Sequence, residues 1–271
     1  MEMSEETQTQ KLAGSDARAE AFVTARRSGA GIDVYPGELP ASLDEAYAIQ
    51  DVAIALWPTA IAGWKVGRIT GEYETELGHD RLVGPVFEEF FHRNAGDVLT
   101  LPVYADGFAA VEGEVTAVIS KDVPAGKTDF STEDALEYIG ALHFGVELAS
   151  SPFKGINDFG PLVTISDFGN NRGLIIGQEI SGWRDMDLSS WTFETFVNQQ
   201  SVGRATPEAI PGGPVESVRY LLENTAKRGL PLKAGMMVLT GAVTGVHEAF
   251  AGDSASVTLA GEEISLRLTE A

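Results

Sequence analysis

A chain of 271 residues can bury a substantial core, as one large domain or one domain with an appendage. Its 44% hydrophobic and 22% charged content are those of an ordinary soluble protein, and no apolar run approaches the roughly 20 residues of a membrane span. The formal charge of −21 repels nucleic-acid phosphates and anionic membranes, and the lack of cysteine excludes disulfides, thiolate metal sites and a cysteine nucleophile. The same charge repels an anionic substrate at long range, so a carboxylate ligand has to be captured by a local cation; a saline habitat or solubility alone explains the acidity equally well.

Residues 1–15 are polar and read as a flexible tail, unlike a signal peptide, which makes the cytoplasm the expected location. Residues 16–60 read as a helical layer. Asp16 to Gly29 carries an apolar patch of Ala19, Phe22, Val23 and Ala25, and Ser42-Leu-Asp-Glu45 is a capping-box signature opening a second helix with Leu43, Ala46, Tyr47, Gln50, Ala53, Ile54 and Trp57 on one side. From Ile61 to residue 271 the pattern changes to short strands between Gly, Pro, Asn and Asp turns: 61–67, 98–104, 108–120, 143–149, 173–177, 192–199, 236–240, 254–260 and 263–268. Ala260-Gly261 suits a hairpin turn, and two helices interrupt the strands, Thr132 to Ala141 and Pro214 to Arg228, the second closed by Gly229. The fold class is α+β with a mostly β core.

Within Phe108 to Ser120 the residues Val111, Val115, Ala117 and Ile119 fall on one parity of a strand and Glu112 and Glu114 on the other. Positions i and i+2 share a face roughly 7 Å apart, so the two carboxylates repel unless protons or a cation neutralise them. Glu147, in His143 to Ala149, is a third acid in an apolar stretch. Three acids on strands suit a hard divalent cation, Mg2+ or Mn2+; alternatively Glu112 and Glu114 line the solvated face of an edge strand. Lys65 stands in the apolar run Ile61-Ala-Gly-Trp-Lys-Val-Gly67, where a lysine either meets a charge or snorkels from an edge strand to water. No G-x-S-x-G, Walker or G-x-G-x-x-G motif is present.

Ala46-Tyr-Ala-Ile-Gln-Asp51, Gly63-Trp-Lys-Val-Gly67, the Glu112/Glu114 strand, Val146-Glu-Leu-Ala-Ser-Ser-Pro-Phe153, Gly212-Gly-Pro-Val215 and Leu239-Thr-Gly241 follow one another in this order. From about residue 16 onward the chain resembles the 2-keto-4-pentenoate hydratase and 4-oxalocrotonate decarboxylase branch of the fumarylacetoacetate hydrolase superfamily. The resemblance implies a mixed β-sandwich or β-roll core. It also implies a metal held by Glu112, Glu114 and Glu147, and a substrate site containing Lys65, Asn171, Thr240 and Gly241. Asn170-Asn171-Arg172-Gly173 departs from the family's usual turn, and turn asparagines need no function.

The resemblance further implies an acid before a Phe-Gly pair, acting with the lysine in proton transfer. Leu82 precedes Val83-Gly84 here, and Asp80 is the displaced candidate or a plain loop aspartate. No histidine occurs in residues 1–60, which argues against the hydrolase chemistry of the superfamily, whose histidine comes from that segment. The implied activity is hydration of a 2-hydroxy-2,4-dienoate to a 4-hydroxy-2-keto acid in catabolism of aromatic compounds. Its alternatives are a metal-dependent 2-keto acid decarboxylase of the 4-oxalocrotonate type and a non-catalytic partner subunit. The expected partners are a small 2-keto acid, further copies of the chain in a homo-oligomer and a paralogous decarboxylase.

Overall fold

The computed structural model describes residues 15–185 and 187–271, so the tail expected at 1–15 lies, apart from Ser15, outside the described residues. Helix α1 (Ala17–Ser28) starts where the Asp16 carboxylate accepts the Arg18 N–H and stops at Gly29, whose φ of 74° is left-handed. Helix α2 (Leu43–Leu56) is capped by the Ser42 hydroxyl, which accepts the Glu45 N–H at 3.2 Å. The Glu45 carboxylate reaches back to the Ala41 N–H at 2.9 Å, one residue earlier than a capping box requires.

Two sheets form the core. The larger has the order β2 (Arg81–Phe87), β1 (Ile61–Arg68), β10 (Met237–Ala242), β5 (Phe108–Ile119), β6 (Ile139–Ser151), β7 (Asn171–Glu179), β3 (Phe91–Arg93), with β11 (His247–Glu248) also paired to β5. The smaller has the order β4 (Leu99–Val103), β13 (Glu262–Glu270), β12 (Ser254–Leu259), β8 (Phe193–Val197), β9 (Gln200–Ala205). Strands β1 and β5, which carry Lys65 and the paired glutamates, are not neighbours: β10, from the last part of the chain, runs between them, parallel to β1 and antiparallel to β5.

The strand alternation expected for β5 sorts its two faces. Val111, Val115 and Ala117 are buried toward the small sheet, where Phe144 of β6 meets Phe193 of β8 edge to face at 5.7 Å. Gly113 is part of that packing, because a Cβ there would come within 2.8 Å of Val257 on β12. The opposite face is covered by the helical layer. Ala19, Val23, Ile49, Ala53 and Trp57 pack with Phe87, Phe168, Leu174 and Leu239, and the Trp57 ring stacks on Phe87 at 5.1 Å. Helix α6 (Gly213–Lys227) packs against the large sheet, burying Val218, Leu221 and Leu222 with Trp64 and Val66 of β1.

Three sequence expectations change. Arg81–Phe87, not among the expected strands, is strand β2; Pro85 is tolerated because β2 is the edge of its sheet. The helix expected over Thr132–Ala141 ends at Tyr138 (α4, Thr132–Tyr138), and Ile139 opens β6 opposite Ile119. Two short helices, α3 (Glu72–Leu77) and α5 (Pro161–Ser166), fill segments for which no element was expected. The hairpin expected at Ala260-Gly261 is present, with φ of 52° and 90° between Leu259 and Glu262, the left-handed pair of a two-residue turn.

Candidate metal centre

Antiparallel pairing of β5 and β6 sets Glu112 directly opposite Glu147 and Glu114 opposite Gly145. Directly opposed side chains have Cβ atoms about 5 Å apart, where like charges destabilise a sheet. Each glutamate offers an oxygen within 4.8 Å of the others, and all three residues are buried, Glu114 and Glu147 completely. Gly145 keeps the face open, since a Cβ there would stand 2.0 Å from the Thr116 hydroxyl. The alternative of a solvated edge face is therefore excluded.

Lys65 reaches the centre from β1. Its Nζ lies 3.3 Å from Glu147 Oε2, and its side chain is 7% exposed. Burial works against the ammonium, yet Glu147, Glu112 and Glu114 together hold its pKa above the ordinary lysine value. One ammonium cannot neutralise three carboxylates. Burial, reinforced by the Glu147 charge, pushes Glu112 up to about 8, and burial with the Glu147 and Glu112 charges lifts Glu114 well above the carboxylate range.

The oxygens are unevenly supported. Glu114 Oε2 accepts the Gly241 N–H at 2.8 Å, whereas Glu114 Oε1 has no hydrogen-bond partner among the described residues. Glu147 Oε1 accepts the Asn171 side-chain amide at 2.9 Å, leaving Oε2 to Lys65. A buried carboxylate oxygen without a donor is costly unless a cation takes its lone pair. The excess negative charge, the unpartnered oxygen and the all-oxygen donor set fit a hard divalent cation.

The structure thus brings Lys65, Asn171 and Gly241 to the three glutamates. Thr240 is adjacent, but its hydroxyl donates to the Val115 carbonyl at 2.7 Å, so Thr240 and Gly241 direct their donors to β5 and to Glu114. Asp80 is not brought to the centre. Its carbonyl pairs with the Ile69 N–H, four positions beyond Lys65 and about 13 Å along the strand, while its carboxylate pairs with Arg81. Leu82, at the position where the family resemblance implies an acid, is buried, and it and the Lys65 ammonium both flank Gly67. None of the four histidines joins the carboxylate cluster among the described residues.

Sequence reasoning missed a support beneath Asn171. Residues Phe168, Gly169 and Asn170 have φ of 54°, 63° and 69°, a run of left-handed backbone that costs roughly 1–2 kcal/mol per non-glycine residue. Gly84 on β2 must be glycine to admit this turn, because a Cβ would lie 2.1 Å from the Phe168 carbonyl oxygen. Arg26 of α1 and Asp167 form a fully buried ion pair against the turn. The available signal was an arginine three and four residues beyond Val23 and Phe22, on the apolar side of its helix.

No protein-family model matches this sequence. The 2-keto-4-pentenoate hydratase of Burkholderia vietnamiensis (strain G4 / LMG 22486) is 27% identical over 202 residues, 73% of this chain and 75% of the relative. The fold is that of 4-oxalocrotonate decarboxylase from Pseudomonas putida G7, solved with magnesium and adipate, at a TM-score of 0.76 and 20% identity over 99% of this chain and 100% of the other. Fumarylpyruvate hydrolase from Pseudomonas aeruginosa, in complex with Mn2+ and pyruvate, matches at a TM-score of 0.56 and 19% identity, covering 79% of this chain and 91% of that one. The sequence relatives, a 2-keto-4-pentenoate hydratase at 27% and a 4-oxalocrotonate decarboxylase at 22% identity, and the shared fold agree with the resemblance to the 2-keto-4-pentenoate hydratase and 4-oxalocrotonate decarboxylase branch of the fumarylacetoacetate hydrolase superfamily.

Proposed function

We propose that the chain is a metal-dependent hydratase that converts a 2-hydroxy-2,4-dienoate and water into a 4-hydroxy-2-keto acid. The observation that carries this reading is the buried cluster of Glu112, Glu114 and Glu147 with a single ammonium beside it, in a chain whose relatives are named as hydratases. Bound by the three carboxylates, a divalent cation such as Mg2+ or Mn2+ supplies Lewis-acid stabilisation of negative charge on a 2-keto acid's carboxylate and C2 oxygen.

Around that centre each side chain has a task. Lys65 stays protonated, because three carboxylates surround it, so it offers positive charge and a donated hydrogen bond rather than a basic lone pair. It therefore compensates the substrate carboxylate or the enolate oxygen on a protein that otherwise repels anions. Asn171 fixes one oxygen of Glu147, and Gly241 and Thr240 fix Glu114 and its strand. The helical layer excludes water from the face on which the substrate sits, which strengthens every charge interaction there. Asp80, paired to Arg81 away from the cluster, has no part in this reading.

A second reading, decarboxylation of a 4-oxalocrotonate-type 2-keto acid, is favoured by the fold match that spans 99% of the chain. Incubating the purified protein with Mg2+ and either 2-hydroxypenta-2,4-dienoate or 4-oxalocrotonate separates the two. Loss of dienol absorbance with formation of 4-hydroxy-2-oxopentanoate supports hydration. Carbon dioxide release from 4-oxalocrotonate transfers the assignment to decarboxylation, and turnover of neither overturns both.

A further inference from the structure

We propose that Arg26, on the first described helix, is a positioning residue for the carboxylate centre, acting through the left-handed turn 168–170 and the Asn171 side chain. The inference deepens the metal-dependent reading of the same site and rests on it for its functional consequence.

The guanidinium grips both ends of the turn. Before it, Nε and Nη2 donate to the two Asp167 carboxylate oxygens, and Nη2 also reaches the Asp167 carbonyl at 3.1 Å. After it, Nη1 donates to the Asn171 carbonyl at 2.8 Å. Between these anchors the Phe168 ring lies under the guanidinium carbon, 5.1 Å from its centroid. A bond at 3.2 Å to the Ser150 carbonyl ties the same group to β6, the strand that carries Glu147. Arginine is required geometrically, because its planar fork makes these bonds together and a lysine ammonium cannot.

What the turn controls lies on the other side of it. The Gly169 Cα faces Gly84, and a Cβ on Gly169 would stand 3.1 Å from Lys65 Cδ, so turn backbone forms a wall of the lysine's channel. Asn171, held at its carbonyl by Arg26, sends its side-chain amide to Glu147 Oε1. Glu147 is the residue shared between Lys65 and the cluster. A run of left-handed residues relaxes when its anchors are removed. Loss of Arg26 then frees the Asn171 amide from Glu147 and lets that carboxylate rotate.

The test compares wild type with Arg26→Lys, Asn171→Ala and the double variant, reading Mn2+ affinity by calorimetry and the Asn171 side-chain amide by NMR exchange. Each single variant should lower Mn2+ affinity about 10- to 100-fold, the range for partners that orient metal ligands. The double variant should lose little more than either single one. In Arg26→Lys without metal, the Asn171 side-chain amide should lose its exchange protection. Leu266→Ala, a destabilising control in the small sheet, should leave both readouts unchanged. Wild-type affinity in folded Arg26→Lys, or additive losses in the double variant, overturns the proposal. Should Arg26→Lys fail to fold, unchanged Mn2+ affinity in Asn171→Ala breaks the final link and overturns it equally. A wild-type protein that binds no Mn2+ overturns the metal reading instead, and amide protection still decides whether Arg26 holds the turn.

Discussion

Two buried groups of charges face the helical layer, and they are built on opposite principles. At Arg26–Asp167 one cation meets one anion, both side chains fully buried, and the remaining guanidinium donors end on carbonyl oxygens of Asp167, Asn171 and Ser150. At Glu112, Glu114 and Glu147 three acids meet one lysine, and a carboxylate oxygen stays without a donor. Burial is common to both and so marks neither as functional. The imbalance distinguishes them. The first group is complete without a ligand, whereas the second becomes complete only when protons or a cation arrive.

The widest separation of the two groups comes from deleting one carboxylate charge in each. Glu114→Gln should lower Mn2+ affinity and turnover of the dienoate by more than about 100-fold, since it removes a ligand rather than a partner of one, with no loss of thermal stability. Calorimetry, the hydration assay and a melt check it. Asp167→Asn should instead destabilise the fold by about 3–5 kcal/mol, because Arg26 is left buried without its anion. Equal effects of the two substitutions on stability would break the comparison.

Lys65→Ala is expected to remove a charge-assisted contact of roughly 1.5–3 kcal/mol, about 10- to 100-fold in kcat/KM. A rise in KM alone assigns Lys65 to binding, and equal falls in kcat and kcat/KM assign it to the transition state. The smallest effect is in pH dependence. Glu112, pushed up to about 8, holds a proton in the folded metal-free protein that the unfolded chain releases at ordinary carboxylate pH. The folded state thus binds more protons between about pH 4.5 and 8, and metal-free stability falls as pH rises through that window. Melts in a chelator should show the fall, and the stabilisation gained from added Mg2+ should grow over the same interval, because cation binding displaces that proton.

The paired glutamates were legible because a strand alternates faces every residue, and Val111, Val115 and Ala117 identified the other face. Their burial was not legible, since nothing in Ala110-Val-Glu-Gly-Glu-Val115 shows that helices cover the acidic side. Strand β2 was not among the expected strands, and its Gly84-Pro85 pair is of a kind that usually punctuates strands; here glycine makes room for the Phe168 carbonyl and proline occupies a sheet edge. Strand β9 escaped notice because its residues are mostly exposed and polar, with no apolar parity to detect. The link from Arg26 to Asn171 joins residues 145 positions apart, and no local pattern encodes such a pair.

The place of β10 between β1 and β5 has a consequence for synthesis. A ribosome has delivered Lys65 and all three glutamates well before residue 237, but β1 and β5 cannot become parts of one sheet until the Met237–Ala242 segment slides in between them. Until then the growing chain carries two bare strand edges and a set of acids with no lysine to oppose them. Completion of the centre therefore waits for the Met237–Ala242 segment, and a chain interrupted before it is an aggregation hazard with an incomplete centre.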